Sequence, residues 1–154
     1  MGKLCSALAL CLAAAAAPAA AGPAEEAERL YARFVAVQNA HDLERLRGLL
    51  LDSPRFLWVS NGLSLWGPDA MIARLSGFQA NEVWCIDPDQ RRASAVEVAP
   101  GAAFLHVPLV LTVGSAADPQ RYHVLVSALC AETPDGWRIA ALFTTDENRG
   151  EAAR

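Results

Sequence analysis

The chain is predicted to be an α+β domain, with helices in its first half segregated from a meander of long antiparallel strands in its last third. Three observations predict this. Residues 102–113, 121–132 and 137–145 are long apolar stretches of strand-forming residues, split by turn-rich breaks at residues 114–119 and at Pro134-Asp135-Gly136. Near the start, Ala27, Leu30, Phe34 and Val37 recur at helical spacing instead. Between these regions lies Asn61-Gly62, the strongest short hairpin signal in the chain.

Taken in order, residues 25–39 form the first helix, and acidic Glu25, Glu26 and Glu28 suit its positive N-terminal end. Asn39-Ala40-His41 breaks it. Asp42 caps a second, short helix whose buried side carries Leu43, Leu46, Leu49 and Leu50, and Asp52-Ser53-Pro54 ends it. Residues 56–60 and 63–66 are the two arms of the hairpin. Gly67-Pro68-Asp69 opens a third helix with Pro68 at its first position, where the missing N–H costs nothing. Ile72 and Leu75 face inward and Gly77 closes it. Residues 82–86 and 91–98 are strands separated by Asp87-Pro88-Asp89, and Pro100-Gly101 turns the chain into the meander.

Strands alternate their side chains between two faces. In the first long strand Leu105, Val107, Leu109, Leu111 and Val113 share one face, and Phe104, His106, Pro108, Val110 and Thr112 the other. Both faces of the first two strands are apolar, so both need cover. Pro108 cannot donate to a ladder, which predicts a bulge or a local gap in pairing there.

At 154 residues the chain is long enough for one domain with a real core. A net charge of −4 without a basic stripe argues against nucleic acid or an anionic membrane surface as a partner. Residues 1–21 read as a signal peptide: Lys3 supplies the positive start, residues 4–17 the apolar run, and Ala19-Ala20-Ala21 the small residues before cleavage near Gly22. That run is shorter than the ~20 residues a spanning helix needs. The mature domain is residues 22–146, with a polar tail at residues 147–154, and its expected location is periplasmic or secreted. Cleavage leaves Cys85 and Cys130. If their strands flank the first long strand they lie about 9.6 Å apart, beyond the ~7 Å limit between bridged Cα atoms. Buried free thiols are expected first, a bond between chains second.

Residues 33–43 (Arg33-Phe34-Val35-Ala36-Val37-Gln38-Asn39-Ala40-His41-Asp42-Leu43), the turn Trp66-Gly67-Pro68-Asp69-Ala70 and the final Gly136-Trp137-Arg138-Ile139 carry a resemblance to the nuclear transport factor 2-like superfamily, in its SnoaL-like and ketosteroid-isomerase-like bacterial branch. The resemblance covers about residues 25–145. It implies a strongly curved antiparallel sheet wrapped around three helices, a cone-shaped, cystatin-like roll with a pocket on its concave side. It puts Phe104, His106, Pro108 and Val110 on the pocket face with Leu125, Ser127, Leu129, Ile139, Ala141 and Phe143, and turns Trp58 inward. It also implies a homodimer packed through the opposite, convex face, made of Leu105, Val107, Leu109, Leu111, Val124 and Val126. Isomerase chemistry does not follow: the family's oxyanion-holding tyrosine matches Phe34, its base matches Trp58, and its second acid falls near Leu129, none of which can do that work.

His106 is the candidate for acid–base catalysis, because it interrupts an apolar strand. The competing reading is a core histidine bonded to a hydroxyl such as that of Ser127. Phe34, Trp58, Trp84, Phe104, Ser127, Leu129, Ile139 and Phe143 are the expected ligand-binding residues. The three histidines lack zinc spacing, so no metal site is expected, and no cofactor. Three functions fit: an exported domain binding an apolar small molecule without isomerase chemistry; a lyase or isomerase acting on an apolar carbonyl or polyketide-like compound through His106; or a protein-interaction scaffold.

Overall fold

The computed structural model describes residues 21–148. Residues 1–20, most of the expected signal peptide, with Cys5 and Cys11, and residues 149–154 of the tail lie outside the described residues.

The first helix, α1, spans Pro23–Asn39, with Pro23 in its first turn and the Glu25 carboxylate accepting from the Gly22 N–H. Its buried stripe is Ala27, Leu30, Tyr31, Phe34, Val35 and Gln38, so a phenol and an amide share the inward face with the apolar residues. His41, at φ 57°, turns the chain sharply after it. Helix α2 is Leu43–Arg47, and the Asp42 carboxylate accepts from the Arg45 N–H at 3.0 Å as expected of a cap. Arg47 bridges Asp52 and Asp69, tying α2 to helix α3, Pro68–Phe78. Gly77 does not close α3. It sits inside the last turn, and Gln79 is the cap.

Seven strands form one curled, unclosed sheet: β1 Leu57–Ser60, β2 Leu63–Trp66, β3 Val83–Pro88, β4 Ser94–Ala99, β5 Ala102–Gly114, β6 Pro119–Thr133 and β7 Gly136–Asp146. The order is β2-β1-β7-β6-β5-β3, with β4 beside β3 on the same edge of β5. The fold class is α+β as expected. The sheet is not wholly antiparallel, because β1 runs parallel to β7, with Trp58 opposite Leu142. Pro108 does not disturb the β5–β6 ladder, where it lies opposite Leu125 in unbroken register. The gap falls on its other side: β3 stops at the pair Pro88–Leu109 and β4 starts at Ser94–His106. That is where a residue without an N–H does no harm.

The two faces of the long strands are the reverse of the expected ones. Leu105, Val107, Leu109, Val126, Ala128 and Cys130 are buried beneath the helices, while Phe104, Leu129 and Phe143 are exposed. The cause lies in the second set of side chains. Ala103, Ala128 and Cys130 are fully buried small residues, so the inner face is uniformly aliphatic and low enough to seat helices. The outer set contains His106 and Ser127, polar groups that a dry interior accommodates poorly. On β7 a bulge opposite Leu129 and Cys130 splits the expected trio, so Ile139 faces the core and Phe143 faces out. The residues assigned to the convex dimer face are therefore core.

Cys85 lies on β3 opposite Thr112 and Cys130 on β6 opposite Ala103, so most of the length of β5, roughly 30 Å, separates them. Both are free, Cys130 buried as expected but Cys85 exposed. Burial pushes the Cys130 thiol up to about 12. In a chain starting at Gly22, a thiol reagent such as DTNB at pH 8 is expected to label one cysteine while the protein is folded and two after urea is added. Two reacting at once in the native state would contradict the burial of Cys130.

The tail begins as an anchored segment. The Glu147 N–H donates to the His123 carbonyl at 2.8 Å, and its carboxylate pairs with Arg92.

Candidate functional site

The concave face does not close completely on the helices. A cavity of about 470 Å³ remains between α1, α3 and the inner face of the sheet, within the range of small-molecule sites. Helix α1 contributes Tyr31, Phe34 and Gln38, one residue every turn or so along one face. Helix α3 contributes Met71, Leu75 and Phe78. The sheet supplies Trp58 and Leu142 at one side, Trp84 and Ile86 at the other, and Leu109, Val124 and Val126 across the middle.

The walls are held in place by specific contacts. Trp58 is fixed by its indole N–H, which donates to the Thr144 hydroxyl at 3.3 Å, and that hydroxyl donates to the Val59 carbonyl at 3.3 Å. Trp84 stacks on Phe78 with ring centroids 6.2 Å apart, and Arg74 lies over the Phe78 ring, 4.9 Å from its centroid. Tyr31 stacks on Phe34 at 5.7 Å.

Polar groups in the cavity are few. Among the described residues the Tyr31 hydroxyl has no protein hydrogen-bond partner, and the Gln38 side-chain amide has none either, although both residues are about 4% exposed. Burial pushes the Tyr31 phenol well above its usual range, so it stays a neutral donor. The Trp84 indole N–H is buried without a partner, and it can only donate. Toward the mouth stand Ser60, Asn61, Tyr122, Thr145 and Asp146. Among the described residues, the one carboxylate lining the cavity is that of Asp146.

Of the expected ligand-binding residues, Phe34, Trp58 and Trp84 meet in this cavity. Ile139 is fully buried in the core and does not line it. Phe104, Ser127, Leu129 and Phe143 are on the outer face, with His106. His106 Nδ1 lies 3.1 Å from the Ser127 hydroxyl, the arrangement of the competing reading, and the thickness of the sheet separates its ring from the cavity. Tyr31 and Gln38 went unrecognised, because apolar periodicity does not count polar residues. Their signal was their place: each falls on the buried stripe of α1, one turn from Ala27 and Phe34 respectively.

A second hollow of about 370 Å³ lies at the break between β3 and β4, lined by Asp87, Asp89, Arg91 and Arg92 among others. It is open to solvent, and Arg92 is engaged by Asp89 and Glu147. The β-layer cavity is the better site, because it is apolar and walled on three sides. Among the described residues, no group of histidine, cysteine, aspartate and glutamate side chains is placed to hold a metal, and no helix is long and apolar enough to cross a membrane.

No protein-family model matches the sequence, and no curated protein matches it. Solved structures do match. An uncharacterised protein with a cystatin-like fold from Caulobacter vibrioides aligns at TM-score 0.71 and 20% identity, over 82% of this chain and 91% of that one. A candidate dehydratase of the NTF2-like family from Streptomyces avermitilis aligns at TM-score 0.70 and 16% identity, over 82% and 97%. A candidate scytalone dehydratase from Novosphingobium aromaticivorans aligns at TM-score 0.69 and 12% identity, over 84% and 94%. At these identities the likeness speaks to architecture. The helices packed into a curled sheet, the parallel closure of β1 on β7 and the hollow left beneath them give this chain the nuclear transport factor 2-like, cystatin-like fold.

Proposed function

We infer that this is an exported domain that binds a mainly apolar small molecule in the cavity between α1, α3 and the sheet. The observation that carries the reading is a hollow of about 470 Å³ with aromatic and aliphatic walls, into which a few unpartnered polar groups project. Such a site gains affinity from buried apolar area and orientation from its few polar groups. Export rests on the sequence alone, on Lys3, the apolar run and the small residues before Gly22. The lyase or isomerase alternative loses its proposed base, since His106 faces away from the cavity. Its remaining support is that two structural neighbours are candidate dehydratases.

A homodimer remains part of the reading, through a different set of residues. Trp66, Leu57, Ala141, Leu129, Phe104 and Val96 lie in one register row across the outer face, one from each of β2, β1, β7, β6, β5 and β4. An apolar stripe of this length on a sheet marks an interaction surface, and a second copy of the same stripe is self-complementary about a two-fold axis.

The binding test uses N-phenyl-1-naphthylamine, a neutral dye that fluoresces in apolar surroundings. One saturable site per chain is expected. Val126→Trp, which fills the middle of the cavity, is expected to weaken binding at least tenfold while the far-ultraviolet circular dichroism stays that of the wild type. Binding that is non-saturable, or that the substitution leaves unchanged in a folded protein, overturns the reading.

A further inference from the structure

The charges around the cavity are one-sided. Asp146 is the one carboxylate or cationic side chain lining it, and no lysine or arginine among the described residues does so. Asp146 ends β7 opposite Val124. Tyr122 lies two residues earlier on β6, so its side chain points to the same face, and it too lines the cavity. Diagonal neighbours of this kind are about 7–8 Å apart at the backbone, within reach of an aromatic ring. Tyr122 is 48% exposed, so its ring is free to receive a ligand. The Asp146 carboxylate has no ion pair or hydrogen bond among the described residues. Of the guanidiniums close by, that of Arg92 is held by Asp89 and Glu147, and that of Arg74 lies over the Phe78 ring without being among the lining groups. Asn61 and Thr145 complete the mouth with neutral hydrogen-bonding groups.

We propose that the cavity takes an amphiphilic amine: an apolar, largely aromatic body fills the hollow, and an ammonium group rests at the mouth between the Asp146 carboxylate and the Tyr122 ring. This rests on the small-molecule-binding reading and adds the ligand's charge to it. A carboxylate forms a charge-assisted hydrogen bond with an ammonium N–H, and a phenol ring offers its negative face to the same cation. An anionic ligand meets Asp146 at the mouth and no cation among the lining residues, so it is disfavoured at both places. The net charge of −4 draws cations to the surface in the same sense.

The test compares three probes that share one body: 4-biphenylmethylamine, 4-biphenylmethanol and 4-biphenylcarboxylate, titrated by calorimetry at pH 7 and low salt. The amine is expected to bind about tenfold tighter than the alcohol, the sum of a partly exposed ion pair and a cation–π contact, and the carboxylate weakest. Asp146→Asn is expected to remove most of the amine's advantage and leave the alcohol's affinity unchanged. Tyr122→Leu is expected to remove the rest. Equal affinity for amine and alcohol, or a preference that survives Asp146→Asn, overturns the proposal and leaves the cavity reading standing. Failure of all three probes to bind overturns both.

Discussion

Leu105→Asp is expected to unfold the domain, whereas Phe104→Asp, one residue earlier on the same strand, leaves it folded. Leu105 is 1% exposed, near the start of β5, a strand on which α1 packs. An aspartate there must bury an unpaired carboxylate or stay protonated against its preference, and the aliphatic packing is lost as well. The combined cost exceeds about 4 kcal/mol, a large part of the ~5–15 kcal/mol that holds a typical domain together. Phe104 is 37% exposed on the outer face, so a charge there stays hydrated and stability changes by less than about 1 kcal/mol. Its effect falls on assembly: a charge within the outer stripe is expected to shift the proposed dimer to monomer in sedimentation. Urea melts followed by circular dichroism separate the two variants. If Phe104→Asp unfolds and Leu105→Asp melts like the wild type, the faces described here are reversed. A wild-type protein that is monomeric at micromolar concentration removes the dimer.

Asn39→Ala is expected to cost about 2–3 kcal/mol, although the residue is polar, exposed and remote from the centre of the core. Its side-chain amide spans to β3 and acts there as a neighbouring strand would. Its Nδ2 donates to the Ile86 carbonyl at 2.9 Å, and its Oδ1 accepts from the Ile86 N–H at 2.8 Å. Strand β3 is an edge, paired on its other side with β5, so these two bonds are its lateral support at Ile86. Alanine removes both and leaves partly buried backbone groups unpaired. Asn39→Asp keeps the acceptor and turns a carboxylate oxygen toward the Ile86 carbonyl. The charged form is opposed, so that carboxyl's folded pKa lies above its ordinary value of about 4. Stability of this variant is then fully present below the ordinary value and lost as pH rises through the raised one. Because Ile86 and Trp84 line the cavity, ligand affinity is expected to fall with stability in both variants. An Asn39→Ala protein whose urea midpoint matches the wild type, with unchanged hydrogen exchange at the Ile86 amide, would show that the amide contributes nothing.

The elements themselves were legible because each carries its own punctuation. Asn61 and Gly62 adopt φ 50° and 75° at the hairpin, Asp42 caps α2, and Pro68 opens α3, each by local chemistry that a neighbour cannot override. The facing of β5 and β6 was not legible in the same way. Alternation says which residues share a face and never which face meets the helices, and with Leu105 and Val107 on one side and Phe104 and Val110 on the other, hydrophobicity does not decide. His106 opposite Ser127 was the distinguishing mark, a polar pair on neighbouring strands that is better placed where water can reach it. The cavity was half legible. Phe34 and Trp58 follow from the family resemblance and Trp84 from its aromatic ring, whereas Tyr31, Gln38 and Asp146 depend on where α1 and the end of β7 come to rest.

The parallel pairing of β1 with β7 sets an order of events for the growing chain. Residues 57–60 find their partners at residues 141–144, and the segment before β1 is clasped by the same strand, with Leu51 and Leu49 bonded to Ile139. Until the last strand has been made, the early hairpin has an open flank and the leucines of α2 lack their floor. A nascent chain stopped short of β7 has a meander without its hinge to the helices. Completing the sheet therefore requires closing a loop of most of the domain's length, from β1 to β7.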